Sequence, residues 1–154
     1  MKKGVLLLLA ALAVFGLSSC SSHQEKSPDP RELMERIQEE VALPEMTDVA
    51  EDYLEMNTGI EAQSYDSAVY CLLTSGTGAD EIAIIRGMDE EQADAIQEKL
   101  ENRLDYKERS AQVYLTENMP VIQGAVIRRD GLTVSLIVSE QAEQIVEVYD
   151  SILS

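Results

Sequence analysis

Apolar residues recur at two different spacings along this chain, and the changes between them predict its helices and strands. Helical spacing predicts helices that begin at Asp29, at Thr47 or Asp48, at Asp89 and at Ser139. Short apolar or alternating runs predict strands at Ser67–Thr74, Glu81–Arg86, Ile122–Arg129 and Leu132–Val138. The predicted order of elements is therefore α-α-β-β-α-β-β-α.

This order predicts an α+β domain of two layers, in which a four-stranded antiparallel sheet carries the helices on one face. The central and C-terminal helices are the ones expected to cover it. Arg128, Thr133 and Ser135 alternate with apolar residues in the last two strands. Their polarity indicates that the sheet buries one side only, and the apolar alternates define that side.

The dipeptide Asp130-Gly131 is a strong signal for a two-residue turn between the last two strands. Taking these two residues as the turn places Ile127 opposite Val134. Because side chains alternate along a strand, this register puts both residues on the apolar face.

The predicted central helix carries an inner apolar stripe that is interrupted at Lys107. If the helix continues to Leu115, it overhangs the sheet; the alternative is a break near residues 106–110. Lys99, Arg103 and Lys107 form a row of like charge at four-residue spacing, which is destabilising unless anions face it. Acidic residues of the domain are the favoured partners. An acidic partner segment or a lipid head group is the alternative, which makes the row a tentative interaction patch.

The N-terminus combines a basic start, an apolar run and a cysteine. Two lysines precede the apolar run Val5–Leu17, which is shorter than the about 20 residues that a spanning helix needs. Leu17-Ser18-Ser19-Cys20 follows at once, and together these features resemble the signal peptide and lipobox of bacterial lipoprotein precursors. The resemblance implies cleavage between Ser19 and Cys20 and a diacylglycerol and acyl anchor on Cys20. An ordinary signal peptide with a chance cysteine is the alternative.

These features divide the chain into a removed signal peptide (1–19), an acylated cysteine with a polar tether (20–29) and a single α+β domain (30–154). Two or three acyl chains hold a protein firmly on a bilayer, whereas one chain does so only weakly. The expected location is the extracytoplasmic face of the cell membrane, with the membrane itself as a partner through the lipid anchor.

Composition excludes several classes of function. The chain has 29 acidic and 12 basic residues and a formal net charge of −17, so nucleic acid is not an expected partner. His23 is the only histidine and lies in the tether, which excludes histidine-based catalysis and histidine-ligated zinc from the domain. No calcium-loop spacing is present. We therefore expect no metal and no cofactor other than the anchor on Cys20.

The candidates for catalysis are weak ones. Cys71 lies in an apolar run and is interpreted as a small buried hydrophobe, with a reactive thiol as the alternative. Ser75-Gly76-Thr77-Gly78 is interpreted as a hairpin loop rather than a phosphate-binding loop, because no lysine follows its last glycine. An enzyme would have to use paired carboxylates, or Ser75, Thr77 or Cys71 with a lysine as base.

Four features of the domain carry a resemblance to a family: the strand Ala79–Ile84, the helical run Glu98–Leu104, Tyr114, and the strand Gly131–Val138 before an acidic last helix. Together they resemble small lipoproteins of Firmicutes. That family is described only as a domain of unknown function, and the similarity extends over about Leu33–Leu153. The resemblance implies a cellular location and a domain boundary but no activity.

The sequence thus predicts a membrane-anchored extracytoplasmic lipoprotein, a non-catalytic binding or accessory module of the cell envelope. Its partner would be an envelope protein or ligand that the sequence does not identify. A small envelope enzyme that uses carboxylates rather than histidine is the alternative.

Overall fold

The structure is a computed structural model, and it describes residues 27–154. The helices in this range are α1 (Pro30–Glu40), α2 (Ala50–Thr58), α3 (Glu90–Tyr114), α4 (Met119–Gln123) and α5 (Ala142–Leu153). The strands are β1 (Met46–Asp48), β2 (Ser67–Leu73), β3 (Glu81–Arg86), β4 (Val126–Asp130) and β5 (Thr133–Val138). Short 3-10 turns lie at Ala62–Ser64 and Thr116–Asn118. No helix within residues 27–154 combines the length and the apolar character that a membrane crossing requires.

The strands form one antiparallel sheet in the order β1-β2-β3-β5-β4. The hairpin of β2 and β3 and the hairpin of β4 and β5 are both present, and β3 pairs with β5 to join them. The predicted α+β class is therefore confirmed. The central pair brings Glu81 beside Val138 at one end of the sheet and Arg86 beside Thr133 at the other.

The sheet has five strands in the described range, so the prediction of four strands was wrong. The additional strand is β1, which pairs with β2 at the sheet edge and has three residues, too few to show a period of two. The predicted order also lacked α4, a helix of five residues. Pro120 lies in its first turn, where the fixed φ of proline is compatible with a helix. Strand β4 begins at Val126 rather than Ile122.

Helices cover both faces of the sheet, which corrects the prediction of helices on one face. One core cluster joins the sheet to α2, α3 and α4, and a second joins it to α1 and α5. Thr133 and Ser135 lie on the second face and are buried. Their hydroxyls bond to Pro28 O and to the hydroxyl of Tyr149. Their polarity is thus satisfied inside the protein and did not indicate exposure.

The turn between β4 and β5 is formed by Gly131 and Leu132 rather than by Asp130 and Gly131, because Asp130 pairs with Thr133. Gly131 has a φ of 58°, and glycine at the first central position is typical of a type II′ hairpin turn. Ile127 consequently lies opposite Leu136 rather than Val134. The change of register is even, so the apolar face is the predicted one.

Helix α3 is continuous over 25 residues, or about 37 Å at 1.5 Å per residue. A six-residue strand such as β3 spans about 20 Å. The C-terminal turns of α3 therefore extend past the ends of the strands. Tyr106, Val113, Tyr114 and Leu115 are exposed in this region.

The chain enters the domain beside the β4–β5 turn. Leu132 N donates to the hydroxyl of Ser27 at 2.8 Å, and the hydroxyl of Thr133 donates to Pro28 O at 2.7 Å. Asp29 then caps α1 and contacts Arg86 at 3.3 Å. These contacts fix the end of the sheet from which the N-terminal residues depart.

We expect Thr133→Asp to lower the free energy of unfolding by several kcal/mol. The change places an ionised carboxylate where the side chain is 1% exposed, and it removes the bond to Pro28 O. Thr77→Asp, the same change in an exposed loop, serves as the control and is expected to have little effect. Urea denaturation followed by circular dichroism measures both. Equal stability of the two variants would contradict a covered second face.

Candidate functional site

The most unusual group in the described structure is Glu81, a carboxylate with no exposed surface. It is the first residue of β3 and lies on the same face as Ala83 and Ile85, towards α3. Arg103 and Lys107 occupy inward positions of α3, one helical turn apart, at the point where the apolar stripe is interrupted. The strand and the helix thus bring one acid and two bases together inside the protein.

Every acceptor position of this carboxylate is occupied. Oε1 accepts bonds from Tyr70 Oη at 2.8 Å and Arg103 Nε at 2.9 Å. Oε2 accepts bonds from Arg103 Nη2 at 3.0 Å and Lys107 Nζ at 2.8 Å. Asn57 of α2 donates to Tyr70 Oη at 3.1 Å. A carboxylate offers about four lone-pair sites, so Glu81 has none left for another donor.

These contacts also decide the protonation of the cluster. Burial alone would raise the pKa of Glu81, but the bonds from Arg103 and the charges of Lys107 and Arg103 outweigh it and hold that pKa below its usual value. Burial raises the pKa of Tyr70, and the Glu81 charge raises it further. Near neutral pH, therefore, Glu81 is ionised and Tyr70 is a neutral donor.

The predicted row of three bases divides between two surroundings. Arg103 and Lys107 bind Glu81, which is the intradomain acid that the spacing favoured. Lys99 binds the carbonyl oxygen of Gly59 instead and lines a separate cavity of about 350 Å³ together with Asp89 and Glu91. The structure does not gather the three side chains into one site. Contact between any of them and an external acid stays a prediction.

A smaller cavity of about 130 Å³ adjoins the buried cluster. Arg103 and Lys107 are the charged residues of its wall, and Arg103 also lies over the ring of Tyr106, 5.8 Å from its centroid. The other lining residues are small, apolar or neutral: Gly78, Ala79, Ser110, Ala111, Leu115, Asn118 and Ile122. The cavity opens beside the exposed overhang of α3 and is lined by basic groups in an acidic protein.

A third cavity, of about 510 Å³, lies near the starts of α1 and α2, and Asp48, Glu51, Asp52 and Asp66 are among its lining residues. Carboxylates are ligands for hard cations. Nevertheless, no group of three or more histidine, cysteine or acidic side chains within residues 27–154 is arranged to hold a metal ion. This acidic surface has no coordination geometry from which to derive a metal site.

The remaining sequence candidates are dispersed. Cys71 is a buried free cysteine, and burial followed by the charge of Asp48 raises its pKa to about 12, which opposes thiolate chemistry. Ser75 and Thr77 lie in the exposed β2–β3 loop. The predicted lipidation and cleavage residues, Cys20 and Ser19, lie outside the described residues.

Sequence reasoning missed Glu81 and Tyr70 as site residues, although a signal for Glu81 was present. Glu81 alternates with Ala83 and Ile85 on the strand face that meets α3. Lys107 interrupts the inner stripe of α3. An inward acid on a strand and an inward base on the next helix indicate an internal ion pair, because neither is tolerated alone in a core. Tyr70 gave no such signal, since a tyrosine in an apolar strand is ordinary.

The described structure defines a small α+β domain whose antiparallel sheet is buried on both faces and is fastened to α3 by an internal charge cluster. A family model described as Domain of unknown function (DUF4358) matches residues 39–139, and the chain belongs to this family. The match contains the sheet together with α2, α3 and α4, whereas α5 and most of α1 lie outside it. No curated protein and no solved structure matches the chain. Membership of a family of unknown function is thereby confirmed.

We expect Glu81→Gln to lower the free energy of unfolding at pH 7 by about 3–5 kcal/mol, because two buried bases lose their counter-charge. The folded-state pKa of Glu81 is depressed. Its stabilisation is therefore complete above the unfolded value of about 4.3 and is lost as the pH falls through the folded value. The difference in free energy of unfolding between the wild type and the variant should therefore decrease below about pH 4.

Urea denaturation from pH 3 to 8 measures this difference. Glu98→Gln is the matched control, since Glu98 is exposed on the same helix. A difference that stays constant across the acid range would show that Glu81 does not act through its charge.

Proposed function

We propose that the protein is an extracytoplasmic lipoprotein, held on the cell membrane by an acylated Cys20, whose domain is a non-catalytic binding or accessory module of the envelope. The anchor rests on the sequence: a positive N-terminus, an apolar run too short to span a bilayer, and Leu17-Ser18-Ser19-Cys20.

The position of Ser27 supports a domain held close to the bilayer. Residues 20–26 span at most about 25 Å even when fully extended. Ser27 and Pro28 are hydrogen-bonded to Leu132 and Thr133. A short anchor would therefore bring the end of the sheet that contains the β4–β5 turn towards the membrane.

The observation that carries the non-catalytic assignment is the saturation of Glu81. A general acid or base needs an unoccupied position from which to exchange a proton with substrate. Both oxygens of Glu81 are instead occupied by protein donors. Its depressed pKa also opposes proton donation near neutral pH. Glu81 joins β3 to α3 through Arg103 and Lys107, and the role of this carboxylate is structural.

We expect Cys20→Ala to abolish acylation and to leave an unprocessed or released protein. Metabolic labelling with a fatty-acid analogue, followed by membrane fractionation, measures the change. Cys71→Ala is the control: Cys71 is buried in the sheet, so this variant should remain labelled and membrane-bound. A Cys20→Ala protein that is mature in length and still bound to membranes would contradict the anchor.

We expect the purified, acylated protein in detergent to show no turnover of generic ester, peptide, phosphoester or glycoside substrates near neutral pH. The described domain contains no histidine, and its cysteine has a pKa of about 12. Turnover that survives repurification and disappears on substitution of one acidic residue or Cys71 would establish the enzyme alternative.

A further inference from the structure

The balance of charge at Glu81 is the reverse of that elsewhere in the described domain. Three arginines each contact two carboxylates: Arg86 contacts Asp29 and Asp66, Arg128 contacts Asp130 and Asp150, and Arg129 contacts Glu90 and Asp94. At Glu81, by contrast, two bases share one carboxylate. The cluster therefore keeps a surplus of one positive charge in a chain whose formal net charge is −17.

The two bases also have donors to spare. A guanidinium has five N–H groups and an ammonium has three. Arg103 uses two of its own on Glu81, and Lys107 uses one. No hydrogen bond joins the remaining donors to another group within residues 27–154. Both side chains are largely buried, at 13% and 15% exposure, so solvent compensates their charge only in part.

Both bases line the cavity of about 130 Å³, which is the route by which an anion can reach them. An apolar cavity of roughly 150 Å³ admits a molecule the size of benzene, so this one has room for a single side chain. Its walls offer the hydroxyl of Ser110 and the apolar surfaces of Ala111 and Ile122. The site fits a carboxylate on a short aliphatic stem.

The surface around the cavity is suited to a protein partner. Tyr114 is 81% exposed and Val113 is 68% exposed in the last turn of α3, and Tyr106 and Leu115, which line the cavity, are exposed as well. Several large apolar side chains exposed together mark an interaction surface, and tyrosine is enriched where binding energy concentrates. A residue that follows the inserted carboxylate on the partner would rest on this surface.

The position of the cavity opposes a lipid occupant. Ser27 binds beside the β4–β5 turn, where Arg86 pairs with Thr133, whereas Glu81 pairs with Val138 at the other end of the sheet. The two ends are about 20 Å apart along the strands. The proposed anchor precedes Ser27 in the chain, so it is attached at one end of the sheet, whereas the cavity lies at the other end.

We propose that this cavity is a docking site for an acidic residue of another extracytoplasmic protein. The carboxylate of that residue binds the spare donors of Arg103 and Lys107, and an adjacent apolar residue packs on Tyr106 and Tyr114. The proposal rests on the proposed role of the domain as a binding module. Its site contains Arg103 and Lys107 of the interaction patch predicted from the sequence, but not Lys99.

The test measures binding of a capped tripeptide, glutamate between two leucines, to the full-length acylated protein in detergent by isothermal titration calorimetry. The same peptide with glutamine is the ligand control. We expect the glutamate peptide to bind at least tenfold more tightly, and equal affinities would overturn the proposal. Acetate that binds as tightly as the peptide would also overturn it, in favour of a site for free anions.

Two protein variants locate the binding. Lys107→Met leaves Arg103 paired with both oxygens of Glu81, so the domain should fold while the surplus charge is lost, and peptide affinity should fall at least tenfold. Arg109→Met is the matched control, because it removes an exposed base of the same helix that does not line the cavity. An equal loss in both variants would mean non-specific attraction and would overturn the proposal.

Ser110→Glu supplies a carboxylate at the cavity wall. It should abolish peptide binding without lowering the melting temperature, whereas Ser110→Gln should retain most of the binding. A Ser110→Glu protein that folds and binds normally would overturn the site. Vesicles of phosphatidylglycerol form the last arm, and adsorption that requires Lys107 would identify a lipid occupant instead. Each result is independent of acylation at Cys20 and of enzymatic turnover, so it can fail while the proposed function stands.

Discussion

Burial of Glu81 is the constraint on which the arrangement of the domain depends. A carboxylate without solvent must be surrounded by donors, and the four bonds to Glu81 come from β2 and α3. Asn57 extends the network to α2 through Tyr70. The cluster consequently fixes the rotation of α3 over the sheet, since only one rotation presents Arg103 and Lys107 together. It also determines which turns of α3 extend beyond the ends of the strands.

The second constraint is that the sheet is buried on both sides. The family match contains the sheet and the helices α2, α3 and α4 that cover one of its faces. Most of α1 and all of α5, which cover the opposite face, lie outside the matched range. Ser27 and Pro28, at the N-terminal end of the described chain, accept hydrogen bonds from Leu132 of the β4–β5 turn and Thr133 of β5. Residues 27 and 28 are thus part of the packed structure of the domain.

In several places, one basic residue of this acidic protein neutralises more than one carboxylate. Arg86, Arg128 and Arg129 each contact two carboxylates, which relieves repulsion between those acids. At Arg103 and Lys107 the ratio is inverted, and the surplus charge lies against a cavity rather than against another acid of the described chain. This contrast within one molecule is the observation that supports the proposed docking of an acidic residue at the cavity.

The sequence by itself determined the α+β class, both hairpins, the apolar stripe of α3 with its interruption at Lys107, and the apolar face of the β4–β5 pair, because these depend on local periodicity. Tertiary structure alone decided the rest. Strand β1 is too short to have a period and exists through pairing with β2. Thr133 and Ser135 are buried because α1, α5 and residues 27–28 supply partners for their hydroxyls. Glu81 found its bases 22 and 26 residues away. Contacts at such separations are set by how the elements pack. The sequence pattern could therefore indicate an inward acid and an inward base, but only the packing decided which residues pair.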